Sequence, residues 1–107
     1  MELDLVILTS PDPAALATFY AAVGIPMAEE RHGSGPKHFS GRLGRGVMEI
    51  YPGHASGGSG FGFSLTDLEP FRRRWRQAGG TCGRSDRLLI DPQGNRVFIS
   101  RPAAPSP

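Results

Sequence analysis

The sequence predicts an α+β fold in which one unit, a strand followed by a helix and three more strands (βαβββ), occurs twice. Three observations support this prediction. Strand-like runs and helical stripes alternate in that order along the chain. A helix start, an apolar stripe and a helix stop recur at one fixed spacing. Short segments are separated by turns rich in Gly and Pro, of which the chain has 15 and 10.

The first unit begins with residues 3–9, a nearly continuous apolar run that predicts a strand covered on both faces. Asp12 suits a helix N-cap and Pro13 suits the first helical position, because proline lacks the amide hydrogen that would go unpaired there. A helix is therefore predicted over 13–23, ending at Gly24. Three strands are predicted to follow it, at 26–31, 36–43 and 46–51.

The second unit follows a linker, residues 53–60, whose glycine and serine content predicts flexibility. A strand is predicted at 61–65. Thr66 to Glu69 has the spacing of a capping box before a helix at 67–78. The remaining predicted strands lie at 81–84, 87–90 and 96–100. Module one thus spans 3–52, module two spans 60–101, and 102–107 is a tail.

The two units match residue by residue. Asp12 and Asp67 are separated by 55 positions, and the same separation relates the stripe residues and the helix stops. Recurrence of a cap, a stripe and a stop in register indicates an internal repeat. The pairs at this separation are Val6/Phe61, Leu8/Phe63, Leu16/Phe71, Tyr20/Trp75, Val23/Ala78 and Gly24/Gly79. Later the separation falls to 49, so that Met48-Glu49-Ile50 matches Val97-Phe98-Ile99.

Composition limits the possible functions. The 107 residues predict one domain, small enough for oligomerisation to help its stability. The net charge of +2 is too small to indicate nucleic-acid binding, and no apolar run is long enough to cross a membrane. Cys82 is the only cysteine, so no internal disulfide can form, and the start Met-Glu-Leu-Asp lacks a signal-peptide pattern. A cytoplasmic location is expected.

Several motifs in this order resemble the glyoxalase/bleomycin-resistance/extradiol-dioxygenase (vicinal oxygen chelate) superfamily. The resemblance covers roughly residues 3–101. It implies two βαβββ modules whose mixed sheet curls into a cup with the helices outside, and it implies a homodimer, since many members complete the cup between subunits. The motifs are Asp12…Phe19-Tyr20…Gly24, Met48-Glu49-Ile50, Thr66-Asp67-Leu68, Ala78-Gly79-Gly80 and Asp91-Pro92-Gln93-Gly94-Asn95.

The enzymes of this superfamily bind a divalent metal at the base of the cup. The resemblance implies ligands in the first, fourth, fifth and eighth strands, and these positions fall on Leu5, Glu49, Gly60 and Phe98. Only Glu49 has a side chain that can coordinate a metal. The sequence therefore predicts no metal and no cofactor.

The resemblance also assigns the residues of the cup floor. They are mostly apolar, with one carboxylate and one phenol, which is the usual character of a ligand pocket. The predicted ligand-binding residues are Leu5, Ile7, Val47, Glu49, Tyr51 and Phe98, with His38 as a further candidate on its strand. No catalytic residue can be assigned. As an alternative to a ligand contact, Glu49 pairs with an arginine such as Arg96 or Arg42.

Three functional hypotheses remain. The favoured one is a metal-free homodimer that binds a small organic ligand in the cup. The alternative is a metal-dependent lyase, isomerase or dioxygenase with a non-standard ligand set such as Glu49 and His38. The third is a dimeric interaction module with no small ligand. The basic run at 72–76 is predicted to be the solvated face of the second helix, not a nucleic-acid site.

Overall fold

The computed structural model describes Met1 and residues 3–102, and it confirms the repeated βαβββ order. Both helices match their predicted bounds to within one residue at each end. The predicted tail, apart from Pro102, lies outside the described residues. Module one comprises β1 (Leu5–Ser10), α1 (Pro13–Ala22), β2 (Met27–Glu30), β3 (His38–Leu43) and β4 (Gly46–Pro52), and module two comprises β5 (Gly60–Ser64), α2 (Leu68–Gln77), β6 (Thr81–Cys82), β7 (Leu88–Ile90) and β8 (Arg96–Ser100).

Each module forms its own four-stranded mixed sheet. Sheet A has the strand order β1-β4-β3-β2 and sheet B has the order β5-β8-β7-β6. The pairs β1–β4 and β5–β8 are parallel, whereas the others are antiparallel. Ile7 pairs with Glu49 in sheet A, and Gly62 pairs with Phe98 in sheet B. These two pairs are related by the separations of 55 and 49, so the repeat is confirmed at the level of single residues.

The core lies on one face of each sheet, beneath the helices. Every second residue of the central strands points into it, and these residues are buried or, like Phe39 and Leu43, partly buried. The opposite face of each sheet is open, with Leu5 44% exposed and Ile7 52% exposed. The prediction that β1 is covered on both faces was therefore wrong, because no described element of the chain packs against its second apolar face. Among the buried residues are Leu8, Leu16, Tyr20, Met48, Ile50, Phe63, Phe71, Trp75, Val97 and Ile99.

The two helices begin differently. At α1 the Asp12 carboxylate accepts a hydrogen bond from the Ala15 amide at 3.1 Å, as the cap prediction requires. At α2 the N-cap is Asp67 and its side chain makes no capping hydrogen bond, so the predicted capping box was wrong. Glu69 instead accepts a hydrogen bond from Arg72 at 3.1 Å and lies 3.6 Å from Arg76. The basic run thus lies on the outer face of α2, partly neutralised by Glu69. In the described part of the chain, no helix combines the length and apolar character that crossing a membrane requires.

The modules are joined through the helices. Phe19 of α1 packs edge-on against Trp75 of α2, with ring centroids 4.7 Å apart. The Tyr20 hydroxyl donates a hydrogen bond of 2.6 Å to the buried carboxylate of Asp91 in the β7–β8 loop. Burial, together with the Asp91 charge, raises the pKa of Tyr20 far above its ordinary value, so the phenol remains a donor. These contacts tie module one to module two.

The linker between the modules is hydrogen-bonded to both of them, contrary to the flexibility that its composition predicted. The Ser56 amide donates to the Thr9 carbonyl at 3.0 Å, and the Ser56 hydroxyl donates to the Asn95 side chain at 2.9 Å. A short polar loop can satisfy its own backbone in this way, and composition alone does not reveal it. The loop therefore fixes the spacing of the two modules.

Replacing Gly41 with alanine is expected to lower the free energy of unfolding by about 2 kcal/mol. A Cβ atom there would lie 2.5 Å from the Pro26 carbonyl oxygen, so the backbone between α1 and β2 would have to shift. Gly60→Ala is the control, since its Cβ would meet the edge of the Phe98 ring at 3.4 Å and the Arg96 carbonyl oxygen at 3.9 Å, which are ordinary contact distances. Urea denaturation measures both variants, and equal midpoints would contradict this account of the packing.

Candidate functional site

The candidate site is the open face of sheet A. Cross-strand partners point to the same side of a sheet, and β1 and β4 pair Leu5 with Val47, Ile7 with Glu49 and Thr9 with Tyr51. The structure therefore brings five predicted residues together on one surface, namely Leu5, Ile7, Val47, Glu49 and Tyr51. Phe98 lies on the open face of sheet B, where it is 49% exposed. The two sheets do not close into one cup within the chain.

His38 lies at the polar end of this surface, where it contacts Tyr51, Glu30 and Glu49. Its side chain is only 1% exposed, and its ring stacks on Tyr51 with centroids 4.2 Å apart and planes 13° apart. Its Nε2 atom lies 3.0 Å from Glu30 Oε1 and 3.4 Å from Glu49 Oε2. The structure places His38 beside Glu49, its fellow candidate, within a hydrogen-bonded group. A ligand contact by His38 stays a prediction.

Among the described residues, the ion pair formed by Glu49 is with His38. The predicted alternative was an arginine partner, Arg96 or Arg42. The Arg96 guanidinium instead donates to the Gly58 carbonyl at 2.9 Å, and Arg42 is the cross-strand partner of Val47, not of Glu49. The carboxylate of Glu49 remains 15% exposed and borders the apolar surface of β1. A charged group at the edge of an apolar surface can orient a ligand of opposite charge.

The group carries linked pKa shifts. Burial alone would lower the pKa of His38, but the hydrogen bond to the Pro36 carbonyl and the Glu30 and Glu49 carboxylates together raise it. The hydrogen bond from His38 lowers the pKa of Glu30, against the opposing effect of burial. Burial and the neighbouring Glu49 charge raise the pKa of Tyr51. With both carboxylates ionised and His38 protonated, the group carries net negative charge.

Sequence reasoning missed two members of this group, Glu30 and His32. Together with His38 and Glu49 they offer four possible metal ligands, whose donor atoms all lie within 4.8 Å of one another. Glu30 and His38 are direct partners across the β2–β3 hairpin. A signal was present in the sequence, because chelating residues flank the glycine-rich turn at 33–35 and a hairpin brings such flanks together.

Of the four positions that the resemblance assigns to metal ligands, three hold residues that cannot coordinate a metal. Leu5, Gly60 and Phe98 have no coordinating side-chain atom, so Glu49 alone cannot form a site there. A separate groove of about 330 Å³ lies between the modules and contains none of the predicted site residues. Its lining includes Gly24, Leu43, Phe63 and Arg74. The chemistry of the described surface is thus concentrated on the open face of sheet A.

Comparison with solved structures confirms that this is the fold of glyoxalase and bleomycin-resistance proteins. A glyoxalase/bleomycin resistance protein from Albidiferax ferrireducens T118 has a TM-score of 0.72 and 20% identity, over 94% of this chain and 98% of that one. A bleomycin-binding protein complexed with bleomycin has a TM-score of 0.66 and 16% identity, over 96% and 99%. A lactoylglutathione lyase from Agrobacterium tumefaciens has a TM-score of 0.69 and 18% identity, over 92% and 91%. No family model and no curated protein sequence matches the chain.

Proposed function

We propose that this protein binds a small organic cation on the open face of sheet A, without a metal at the position used by enzymes of this fold. The proposal rests on one observation, the exposed apolar side chains that lie beside a carboxylate on this face. Leu5 and Ile7 are about half exposed, Ile7 is the cross-strand partner of Glu49, and Tyr51 lies on the same face. Exposed apolar residues grouped beside one charge are typical of a ligand site.

The charges on this face favour a cation. At the polar end of the face, Glu30 and Glu49 contribute two negative charges against one positive charge on protonated His38, so the balance there is negative although the whole chain is +2. Arg42, the cross-strand partner of Val47, places a positive charge toward the other end of the same face. The bleomycin complex is a precedent for an organic ligand on this fold, though not for the same ligand. The enzyme alternative has the lyase as its precedent, but here no residue is placed for a defined reaction.

The ligand site is completed by a second copy of the chain. Each module leaves one sheet face open, and apolar side chains lie on both, namely Leu5 and Ile7 in sheet A and Phe98 in sheet B. Placing module two of one copy over module one of another covers all three and forms a closed cup, so the proposal includes a homodimer. Cys82, the only cysteine, supports a cytoplasmic protein because no intrachain disulfide is available.

A fluorescence titration tests ligand binding. Proflavine is a planar organic cation, and 8-anilinonaphthalene-1-sulfonate is an aromatic anion that serves as its counterpart. The EDTA-treated protein is expected to bind proflavine saturably and at least about tenfold more tightly than the anion, because the carboxylates attract one and repel the other. Tighter binding of the anion than of proflavine, or no saturable binding of either dye, would count against the proposal.

Replacing Ile7 with aspartate is expected to convert the dimer into a monomer while the fold is retained. Ile7 is 52% exposed in one chain, so the charge is tolerated there, but it would be buried without a partner in the closed cup. Light scattering measures the mass of each variant. Ala14→Asp, on the exposed start of α1, is the matched control and should remain dimeric. A wild-type chain that is monomeric at micromolar concentration would refute the homodimer.

A further inference from the structure

Four side chains from three strands and one turn converge at the polar end of the open face. Glu30 ends β2 and His38 begins β3, and the two are direct cross-strand partners. Glu49 comes from β4, next to β3, and His32 comes from the β2–β3 turn. The contacts within this set are His38 Nε2 to Glu30 Oε1 at 3.0 Å, His32 Nε2 to Glu30 Oε1 at 3.2 Å and His38 Nε2 to Glu49 Oε2 at 3.4 Å.

The hydrogen bonds of His38 determine which ring nitrogen carries hydrogen. Nδ1 lies 3.2 Å from the Pro36 carbonyl oxygen. A carbonyl oxygen can only accept, so Nδ1 carries the hydrogen and donates it. In neutral His38 the lone pair of Nε2 then points at two carboxylates. That arrangement is repulsive, and water cannot relieve it because the side chain is 1% exposed. Nε2 must therefore hold a positively charged partner, which is either a second proton or a metal ion.

We propose that this group is a binding site for a divalent transition-metal ion of the Zn²⁺ type, with His38, Glu49, Glu30 and His32 as ligands. Two imidazoles and two carboxylates form a donor set that such ions accept, whereas Ca²⁺ and Mg²⁺ prefer oxygen alone. Tetrahedral Zn²⁺ with ligand bonds of about 2.0–2.2 Å sets neighbouring donors about 3.3 Å apart. Three of the six donor pairs, at 3.0–3.4 Å, match that spacing, and all six lie within 4.8 Å.

The surroundings of His38 are those of a metal-ligating histidine. The ring nitrogen away from the ion usually donates to a backbone carbonyl or a carboxylate, which fixes the ring and its tautomer. The Pro36 carbonyl occupies that role here, and Tyr51 holds the ring from one side. A dication would also balance the charges of Glu30 and Glu49, which a single proton on His38 does not.

This site differs from the one that the resemblance implies. It shares only Glu49 with that set, and its other members come from β2, β3 and their turn. All four ligands lie in module one, so a monomer can bind the ion. The prediction of no metal was based on Leu5, Gly60 and Phe98, and the alternative ligand set named Glu49 and His38 without Glu30 and His32. The two proposals are tested separately, because proflavine is titrated in EDTA without metal and Zn²⁺ is titrated without the dye.

Isothermal titration of Zn²⁺ into the full, untagged chain after EDTA treatment and desalting tests the proposal. One equivalent per chain is expected to bind with micromolar affinity or better. Co²⁺ in the same site should give the intense visible absorption of a tetrahedral complex. His38→Gln and Glu30→Gln should each weaken Zn²⁺ binding at least about tenfold, as loss of a ligand requires. Circular dichroism checks that each variant is folded, and His32→Gln provides a third test at an exposed position.

Two neighbouring residues provide matched controls. Glu29 adjoins Glu30 but pairs with Lys37 at 3.8 Å, and His54 lies in the linker outside the cluster. Glu29→Gln and His54→Gln should bind Zn²⁺ like the wild type. Affinity weaker than about 1 mM in the wild type would overturn the proposal. So would a folded His38→Gln or Glu30→Gln variant that binds as tightly as the wild type, or a loss of binding in the His54 control.

Discussion

Replacing Asp91 with alanine is expected to lower the free energy of unfolding by about 3 kcal/mol or more. The buried carboxylate accepts four hydrogen bonds: from the Tyr20 hydroxyl at 2.6 Å, the Gln93 amide at 2.8 Å, and the Asn95 side chain and amide at 2.8 and 3.0 Å. Asn95 is fully buried, so water cannot replace the lost acceptor there. The same loop loses its hydrogen bond to α1, because Tyr20 of α1 donates to the Asp91 carboxylate.

Thermal melting measures this effect. A loss of about 3 kcal/mol corresponds to a fall in Tm of about 10 °C or more in a domain of this size. Asp86→Ala is the control, because Asp86 lies exposed in the turn before β7 and should melt like the wild type. Tyr20→Phe removes one of the four hydrogen bonds and should fall between the two. If Asp91→Ala melted within a degree or two of the wild type, the loop would not be the tie between the modules.

Replacing Glu49 with glutamine is expected to weaken proflavine binding by about 1.5–3 kcal/mol, which is tenfold or more in affinity. Glutamine keeps the shape of the side chain and removes the charge that attracts the cation. The stability of the fold should change little, because the amide oxygen can still accept a hydrogen bond from His38, 3.4 Å away in the wild type. The titration is performed in EDTA, so that any metal effect is excluded.

Two further measurements make this result specific. Glu69→Gln removes an equal charge from α2, where Glu69 pairs with Arg72, and it should leave dye affinity unchanged. The melting temperature of Glu49→Gln without dye separates binding from folding. A fall of several degrees without dye, with unchanged dye affinity, would mean that Glu49 is only a structural partner of His38.

Local patterns sufficed for most of the fold. Asp12 and Pro13 mark the start of α1 because capping is a local interaction, and the alternation of Met48 with Glu49 identifies the two faces of β4. The prediction of a capping box at α2 was wrong because Glu69 pairs with Arg72 and Arg76 instead. The spacing that defines a capping box does not take such ion pairs into account. The prediction that β1 is covered on both faces was wrong because an apolar run does not reveal whether another element packs against each face.

Only part of the candidate site could be predicted, because local patterns do not show how separate strands pair. Glu49, Tyr51 and Ile7 follow from the strand alternation and the position of each strand in the repeat. Glu30 and His32 depend on the register of the β2–β3 hairpin, which sets Glu30 opposite His38. A shift of one residue would have turned these side chains to opposite faces, and the sequence of the turn does not fix that register.

Amide chemical shifts, recorded while proflavine is added to the ¹⁵N-labelled, EDTA-treated protein, locate the bound ligand. They therefore test whether the organic cation binds on the open face of sheet A. The largest changes are expected at Ile7, Val47, Glu49 and Tyr51 on the open face of sheet A. Changes at the exposed sides of α1 and α2, such as Ala14 and Arg73, should be small. Shifts concentrated on the helices or in the groove near Gly24 and Leu43, with β4 unaffected, would contradict the assignment of the site.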